Sequence, residues 1–327
     1  MSSATSVAFS RPTFFGQRSI IDVAQTYGVI GVLLILGVIA SLSFPSFASP
    51  SNISSIITAA CFLGLITIGQ SLVVISGGID LSVGSMVGLG TVAAALTSPH
   101  GWLWALLAPV VVGTLVGLIN GLLIGKAKMA PFIVTLCGLL GLKGLALVLA
   151  PTSILITNSD FPAVGNGSFL GISNLIWLLI IAFVIGSVVL NRTPFGSGIF
   201  AVGGNEDAAR MMGTDVARVK VAVYTISGAL SGLAGALLAS RLSSGVSTLG
   251  TQYELKSIAA AVIGGVLLTG GVGTMLGALC GVLVIGVIQN IITQIGTLNA
   301  YYQDLVTGLF LVLAVVIQGV MSNRRSP

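Results

Sequence analysis

Long apolar runs recur along this chain from about residue 28 to residue 320, and most approach the roughly 20 residues that a helix needs to cross a bilayer. Only 6% of the 327 residues are charged, against roughly 25% in soluble domains. So few charges cannot cover the surface of a water-soluble protein of this length. The sequence therefore predicts an all-α integral membrane protein.

The apolar runs predict a polytopic bundle of about ten transmembrane helices. Their boundaries are 28–44, 55–76, 82–97, 102–125, 131–150, 172–190, 219–241, 255–269, 272–294 and 302–320. Runs 82–97 and 255–269 are short and border glycine-rich segments, so broken or re-entrant helices are expected there, because irregular backbone at membrane depth needs protein or a polar cavity around it. The remaining parts are an N-terminal tail (1–27) and a C-terminal tail (321–327).

The distribution of basic residues predicts the orientation. If the N-terminus is cytoplasmic, ten crossings bring most of the basic residues between the runs to the same side, as the positive-inside rule requires. These residues are Lys126, Lys128, Arg192, Arg210, Arg218, Lys220, Arg324 and Arg325. Both termini are therefore expected in the cytoplasm. The net charge of +5 then reports orientation, and no nucleic-acid partner is expected.

Glycines spaced by four residues indicate close helix packing. Gly113, Gly117, Gly121 and Gly125 form one such stripe, and Gly228 and Gly232 continue the spacing in a later run. A stripe of small residues lets two helix backbones approach closely and gain van der Waals contact.

The loop 192–218 is the one substantially polar stretch between apolar runs, and it predicts a short capped helix. Asn205 is a good N-cap residue, and the acidic pair that follows it favours the positive end of a helix. Gly213 is placed to end the helix. We expect Gly203 and Gly204 to break the chain before it.

This helix is interpreted as a docking surface for a partner. Its small face (Ala208, Ala209) and the flanking Met211 and Met212 are typical of a helix that enters a partner's groove, and a solvated connector is the alternative. The candidate docking residues are Gly203, Gly204, Asn205, Glu206, Asp207, Ala208, Ala209, Arg210, Met211, Met212 and Gly213.

The string AVGGNEDAARMMG within this loop resembles the cytoplasmic coupling segment of ribose-type ABC importer permeases, a group that includes branched-chain amino acid permeases. Three further strings agree with the ribose-type branch: SGGIDLSVGS, INGLLIGKAKMAPFIVTL and YELKSIAAAVIGGVLLTGGVGT. The resemblance extends from about residue 50 to 320.

The resemblance implies a type II-like permease in the bacterial cytoplasmic (inner) membrane that imports a monosaccharide or related polyhydroxylated solute. It implies a homodimer, a cytoplasmic ATPase subunit on each copy, and a periplasmic sugar-binding protein. This chain would be no enzyme and would bind no cofactor, since ATP and Mg would sit on the ATPase subunit. Arg241 and Lys256, on the outer side, are candidate contacts for the binding protein.

Asp80 is the most conspicuous single residue, because an unpaired charge inside the hydrocarbon region costs roughly 2.5–3.5 kcal/mol or more. It follows Gly77 and Gly78 at a predicted break between helices. Three interpretations stay open. Asp80 caps the next helix with the help of Ser82, pairs with Lys143, or contacts the solute.

Polar residues within other runs are candidates for a solute path, with interhelical hydrogen bonds as the alternative. They are Gln70, Asn120, Gln289 and Asn290. A metal site is not expected, because the chain has one histidine and no cluster of ligands. Two other functions remain open, a branched-chain amino acid ABC permease and an ion-coupled secondary transporter.

Overall fold

The computed structural model describes residues 20–296 and 300–323. The helices are α1 (Ile20–Ser43), α2 (Pro50–Ile75), α3 (Val83–Thr97), α4 (Trp102–Gly125), α5 (Pro131–Leu149), α6 (Pro162–Asn166), α7 (Asn174–Arg192), α8 (Pro194–Gly204), α9 (Glu206–Met211), α10 (Val216–Leu242), α11 (Tyr253–Ile263), α12 (Met275–Ile295) and α13 (Ala300–Asn323). Four two-residue strands form two small antiparallel pairs: β1 (Ile154–Leu155) with β4 (Ser244–Gly245), and β2 (Ser168–Phe169) with β3 (Ile172–Ser173).

Each of the ten predicted runs overlies a helix. In the part of the chain described, α2, α4, α5, α7, α10 and α12 are long and apolar enough to cross a membrane. The two short runs correspond to α3, with 15 residues, and α11, with 11. Helix α11 ends at Ile263, six residues before the predicted boundary, because Gly264 and Gly265 begin an irregular glycine-rich turn.

The first and last long helices extend into the predicted tails. Helix α1 already begins at Ile20, and α13 continues to Asn323. Hydropathy misses the first turns of α1 because polar residues such as Asp22 and Gln25 interrupt the apolar run there. The rest of both predicted tails, 1–19 and 324–327, lies outside the described residues.

Helices α2 and α10 lie at the centre of the bundle. The most apolar stretch of α2 is 89% buried, whereas only 17% of that of α5 is buried. Helix α10 packs against α2, α3 and α4. The centre is therefore built on α2 and α10, and α5 presents most of its side chains on the outside.

The glycine stripe brings α4 and α10 into backbone contact, as its spacing predicts. A Cβ atom on Gly113 would collide with the carbonyl oxygen of Gly228, and one on Gly117 would collide with that of Tyr224. A Cβ on Gly121 would lie 2.7 Å from the Cα of Val221. No larger residue fits at these positions without moving a helix.

We expect Gly117→Val to lower the stability of the folded chain by more than the roughly 1–3 kcal/mol typical of overpacking, because it meets rigid backbone. Gly37→Val on α1 is the matched control, since a Cβ there has no atom within 4 Å. Thermal unfolding in detergent, followed by size-exclusion chromatography, compares the two. Equal midpoints would contradict the packing described for α4 and α10.

The short helices α8 and α9 mark one end of the bundle. The backbone N–H of Gly271 donates to the carbonyl oxygen of Ile75, 2.8 Å away, and Gly203 of α8 packs against the same oxygen. The C-terminus of α2, the C-terminus of α8 and the turn 264–274 thus meet at this end, which we call the α9 side. Because α10 has 27 residues, its other end, beside β1 and β4, lies about 40 Å away.

Candidate functional site

Helix α9 has the caps that its sequence predicts. The side chain of Asn205 accepts a hydrogen bond from the backbone N–H of Ala208 at 2.9 Å. Glu206 and Asp207 occupy the first turn, where the helix dipole favours negative charge. Gly213, with φ of +86°, follows the C-terminus, and its N–H donates to the carbonyl of Arg210. The predicted helix is confirmed as Glu206–Met211.

Two expectations about this segment are wrong. Gly203 and Gly204 do not break the chain, because α8 includes both and the extended residue Asn205 makes the break. Gly203 is required instead for the close packing on Ile75. Ala209 is fully buried in the main apolar core and is therefore not part of an exposed small face.

The exposed face of α9 combines charge with methionine. The side chain of Asp207 is 91% exposed, while Met211 and Met212 are 84% and 75% exposed. These two adjacent flexible apolar side chains lie on a polar segment and stay exposed among the residues that the structure describes. Exposed methionines of this kind are typical of adaptable contact surfaces.

Glu206 attaches α9 to α10. Its carboxylate accepts hydrogen bonds from Arg210 at 3.0 Å and from the ammonium of Lys220 on α10 at 2.6 Å. The Lys220 hydrogen bond lowers the pKa of Glu206, so the carboxylate is charged at neutral pH. Glu206 therefore holds α9 in place. The exposed surface consists of Met211, Met212 and Asp207, whose carboxylate lies 4.0 Å from the guanidinium of Arg210.

Asp80 is 1% exposed and is held by three donors. One carboxylate oxygen accepts from the backbone N–H of Ser82 at 3.0 Å and from its hydroxyl at 2.6 Å. The other accepts from the hydroxyl of Ser227 on α10 at 2.9 Å. Asn120 on α4 donates to the hydroxyl of Ser82 at 3.1 Å. The carboxylate thus orders the backbone just before α3 and joins it to α4 and α10. It does not cap α3 itself, because the N-cap residue is Ser82 and Asp80 bonds Ser82 rather than an N–H of the first helical turn.

The break before Asp80 is shaped by its glycines. Gly77 has φ of +81°, which favours glycine, and a Cβ on Gly78 would lie 2.5 Å from the hydroxyl of Tyr224. That hydroxyl donates to the carbonyl of Ile79 at 3.1 Å. The segment between α2 and α3 is therefore fixed against α10 by both its backbone and Asp80.

The proposed pair of Asp80 with Lys143 is wrong. No ion pair joins them among the described residues, since the Asp80 oxygens are taken by serine donors. Lys143 is instead near Glu254, and the two line a cavity of about 30 Å³ with Ser85 and Thr251. Lys143 projects from the exposed helix α5, which places its ammonium beside the start of α11.

Gln289 and Asn290 line one cavity of about 310 Å³, at the end of the bundle opposite α9. It lies between α2, α11, α12 and α13, and we call it the outer cavity. Asn290 also exchanges two hydrogen bonds with Asn52, at 2.9 and 3.2 Å. The interhelical interpretation of Asn290 is therefore confirmed, because its amide joins α2 to α12. Asn290 also lines the cavity, and its part in a solute path stays a prediction.

Lys256 is not a free surface charge, contrary to expectation. Its side chain is 15% exposed and its ammonium pairs with Asp304 on α13 at 2.8 Å, at the rim of the outer cavity. Arg241 is exposed, although one of its nitrogens donates to Asn166 at 2.8 Å. Of the two candidates for binding-protein contact, only Arg241 lies on the surface.

Gln70 stands apart from the other candidates. It is fully buried on α2, and neither its amide nitrogen nor its amide oxygen finds a hydrogen-bond partner among the described residues. Asn120, in contrast, belongs to the junction around Asp80. The four predicted path residues therefore lie in three different places: Gln70 inside α2, Asn120 at the junction around Asp80, and Gln289 with Asn290 at the outer cavity.

The residues that sequence reasoning misses are the long-range partners Ser227, Lys220 and Asp304. Ser227 lies 147 positions from Asp80, in a run of small residues that resembles ordinary helix packing. The pairs Lys220–Glu206 and Lys256–Asp304 combine charges of opposite sign whose distance depends on how the helices pack. No local signal in the sequence singles them out.

The sequence is similar to known proteins along most of its length. Residues 52–315 match the family described as branched-chain amino acid transport system / permease component. The chain is 43% identical to the ribose import permease protein RbsC of Bacillus subtilis (strain 168), over 90% of this chain and 93% of that protein. It is 38% identical to the L-arabinose ABC transporter permease protein AraH of Azospirillum brasilense, over 91% and 88%. No solved structure matches it.

Proposed function

We propose that this chain, which belongs to the family of permease components of branched-chain amino acid transport systems, is the membrane subunit of a binding-protein-dependent ABC importer for a monosaccharide or related polyhydroxylated solute. The observation that carries the proposal is the similarity to ribose and arabinose permeases along about nine tenths of the chain. The chain is a multi-pass inner membrane protein.

The geometry of α9 supports a role in coupling. A capped helix with exposed methionines offers a partner both a rigid shape and an adaptable apolar contact. We assign it to the groove of a cytoplasmic ATPase subunit, which carries ATP and Mg. This chain then performs no covalent chemistry and binds no cofactor.

Two connections lead from α9 into the bundle. Glu206 joins it to α10 through Lys220, and Asn205 links it directly to α8, whose residue Gly203 packs against the end of α2. Helices α2 and α10 are the central helices. Movement of the ATPase subunits thus reaches the centre of the bundle through short, rigid contacts.

The proposed topology places the α9 side and both termini in the cytoplasm. The ten helical segments then correspond to ten crossings of a type II-like permease, and two copies form the transporter. The exposed Arg241 lies on the periplasmic side, where a sugar-binding protein docks.

Two alternatives are less well supported. A branched-chain amino acid permease fits the family description, but the relatives quoted above are named for pentoses. An ion-coupled secondary transporter needs an available intramembrane acid. Asp80 does not fit that role, because three serine donors already hold its carboxylate.

The direct test is sugar-stimulated ATP hydrolysis. The chain is reconstituted with its ATPase subunit and its periplasmic binding protein, and ribose and arabinose are compared with leucine. The proposal expects a pentose to stimulate hydrolysis and leucine to have no effect. Stimulation by leucine alone would establish the amino acid alternative.

A further inference from the structure

The hairpin formed by β2 and β3 exposes apolar side chains at its tip. Phe169 and Leu170 are 63% and 79% exposed, and Ile172 beside them is also exposed. The stretch 161–191, which contains the hairpin, has no charged residue. Connections that project into water are normally polar, whereas an exposed apolar cluster marks a surface that makes a contact.

The backbone of the tip does not account for its leucine. Leu170 and Gly171 form a two-residue turn between the paired positions Phe169 and Ile172, and both turn residues have positive φ, +54° and +76°. Asparagine or aspartate suits the first position of such a turn, and a positive φ is uncommon for leucine. The feature that Leu170 contributes is therefore its apolar side chain.

The hairpin lies along the first turn of α7 rather than beyond the end of that helix. The backbone N–H of Asn174, the first residue of α7, donates to the carbonyl of Gly167 at 3.0 Å. The indole N–H of Trp177 donates to the carbonyl of Phe169 at 3.2 Å. Since Trp177 comes three residues after Asn174, the bond places the hairpin about 5 Å along α7 from its start.

Trp177 stands at one end of the exposed apolar face of α7. Ile181, Val184 and Val188 follow it at intervals of four, three and four residues, so all four side chains lie on one side of the helix. These three aliphatic side chains are exposed. Helix α7 is long and apolar enough to cross a membrane, so lipid chains cover this face. The hairpin extends the same face towards the bilayer surface.

The tryptophans mark the level of that surface. All three in the chain lie at the end of the bundle opposite α9: Trp102 and Trp104 begin α4, with both side chains exposed, and Trp177 lies near the start of α7. Tryptophan is enriched where a membrane meets water, because its indole is apolar and also donates a hydrogen bond. The hairpin bonded to Trp177 is therefore at the depth of the lipid headgroups.

We propose that the β2–β3 hairpin is an interfacial anchor, and that Phe169, Leu170 and Ile172 insert into the headgroup region of the leaflet opposite α9. The partner is the lipid surface, because the hairpin continues a face of α7 that lipid chains cover. Non-helical backbone is compatible with this depth, since water at the interface still reaches its polar groups. The anchor holds this end of α7 at the bilayer surface, whichever solute the chain transports.

The test measures the depth of the tip by fluorescence quenching. Leu170→Cys is made in a Cys137→Ser background, because Cys137 is exposed while Cys61 and Cys280 are buried. The full chain carries an environment-sensitive fluorophore on the new thiol. It is reconstituted in vesicles of phosphatidylethanolamine and phosphatidylglycerol that contain a quencher lipid labelled near the headgroup or near the chain end. Iodide is the quencher in the water.

We expect the shallow lipid quencher to act on the Leu170 label several-fold more strongly than iodide does. Two matched positions calibrate the scale. Ser159→Cys, exposed in the polar stretch before the hairpin, is expected to be quenched by iodide. Ile181→Cys, on the exposed face of α7, is expected to be quenched most by the deep lipid label. Phe169→Cys repeats the measurement at the tip and is expected to match Leu170→Cys.

Two results overturn the inference. If iodide quenches both tip labels as strongly as it quenches the Ser159 label, the hairpin is in water. If neither iodide nor either lipid quencher reaches the tip labels, another protein chain covers the hairpin. Both results are independent of transport, so they are distinct from a failure of the proposed function, in which the reconstituted complex shows no sugar-dependent ATP hydrolysis.

Discussion

Replacing Met211 and Met212 with aspartate is expected to abolish binding of the ATPase subunit while the permease still folds and inserts. Both side chains are at least 75% exposed, so the change costs the permease itself little. In the complex they enter an apolar groove, where two carboxylates meet a large desolvation cost. We expect affinity to fall at least about a hundredfold, from about 1.4 kcal/mol or more lost at each position. Co-purification and ATP hydrolysis measure the loss.

The matched control is Leu170→Asp. Leu170 is 79% exposed and lies in the β2–β3 turn, which the proposed topology places on the periplasmic side. The same chemical change there leaves ATPase binding unaltered. If the methionine variant binds the ATPase subunit as tightly as the control, α9 is not the coupling helix.

Asp80→Ala is expected to cause the largest loss of stability. It leaves the hydroxyls of Ser82 and Ser227 and the N–H of Ser82 without their acceptor in a buried region. At about 1–3 kcal/mol for each unpaired group, the loss is of the order of 3 kcal/mol or more. The unfolding temperature and the transport rate both fall, because the start of α3 loses its connection to α10.

Asp80→Asn tests the hydrogen bonds rather than the charge. Its oxygen can still accept from Ser82, and its amide nitrogen can donate to the hydroxyl of Ser227. We therefore expect the asparagine variant to retain most of the stability that the alanine variant loses. Thermal unfolding of both variants decides the point. Equal stability of wild type and Asp80→Ala, with full transport, would refute the role assigned to this junction.

The sequence predicts the helices and α9 well because both depend on local patterns. Hydropathy locates ten segments, and the spacing from Asn205 to Gly213 defines a capped helix without tertiary information. The glycine stripe on α4 likewise predicts a close helix contact, although the structure is needed to identify α10 as the partner. These features follow from residues that are close together along the chain.

The arrangement around the polar groups could not be predicted, because it depends on which helices meet. Asp80 has a basic residue available in Lys143, but packing brings Ser227 to it and leaves Lys143 beside Glu254. From the sequence alone Lys256 resembles an unpaired surface charge, but in the structure it forms an ion pair with Asp304 of α13. The sequence around Gly203 predicts a helix break, whereas in the structure Gly203 allows α8 to pack closely against the end of α2.

The most direct measurement of the central claim is sugar accumulation in sealed vesicles that contain this chain, its ATPase subunit and its binding protein. The proposed function predicts accumulation that requires ATP and the binding protein, and none with an ion gradient and no ATPase subunit. Accumulation by this chain alone, driven by a sodium or proton gradient, would contradict it and establish a secondary transporter.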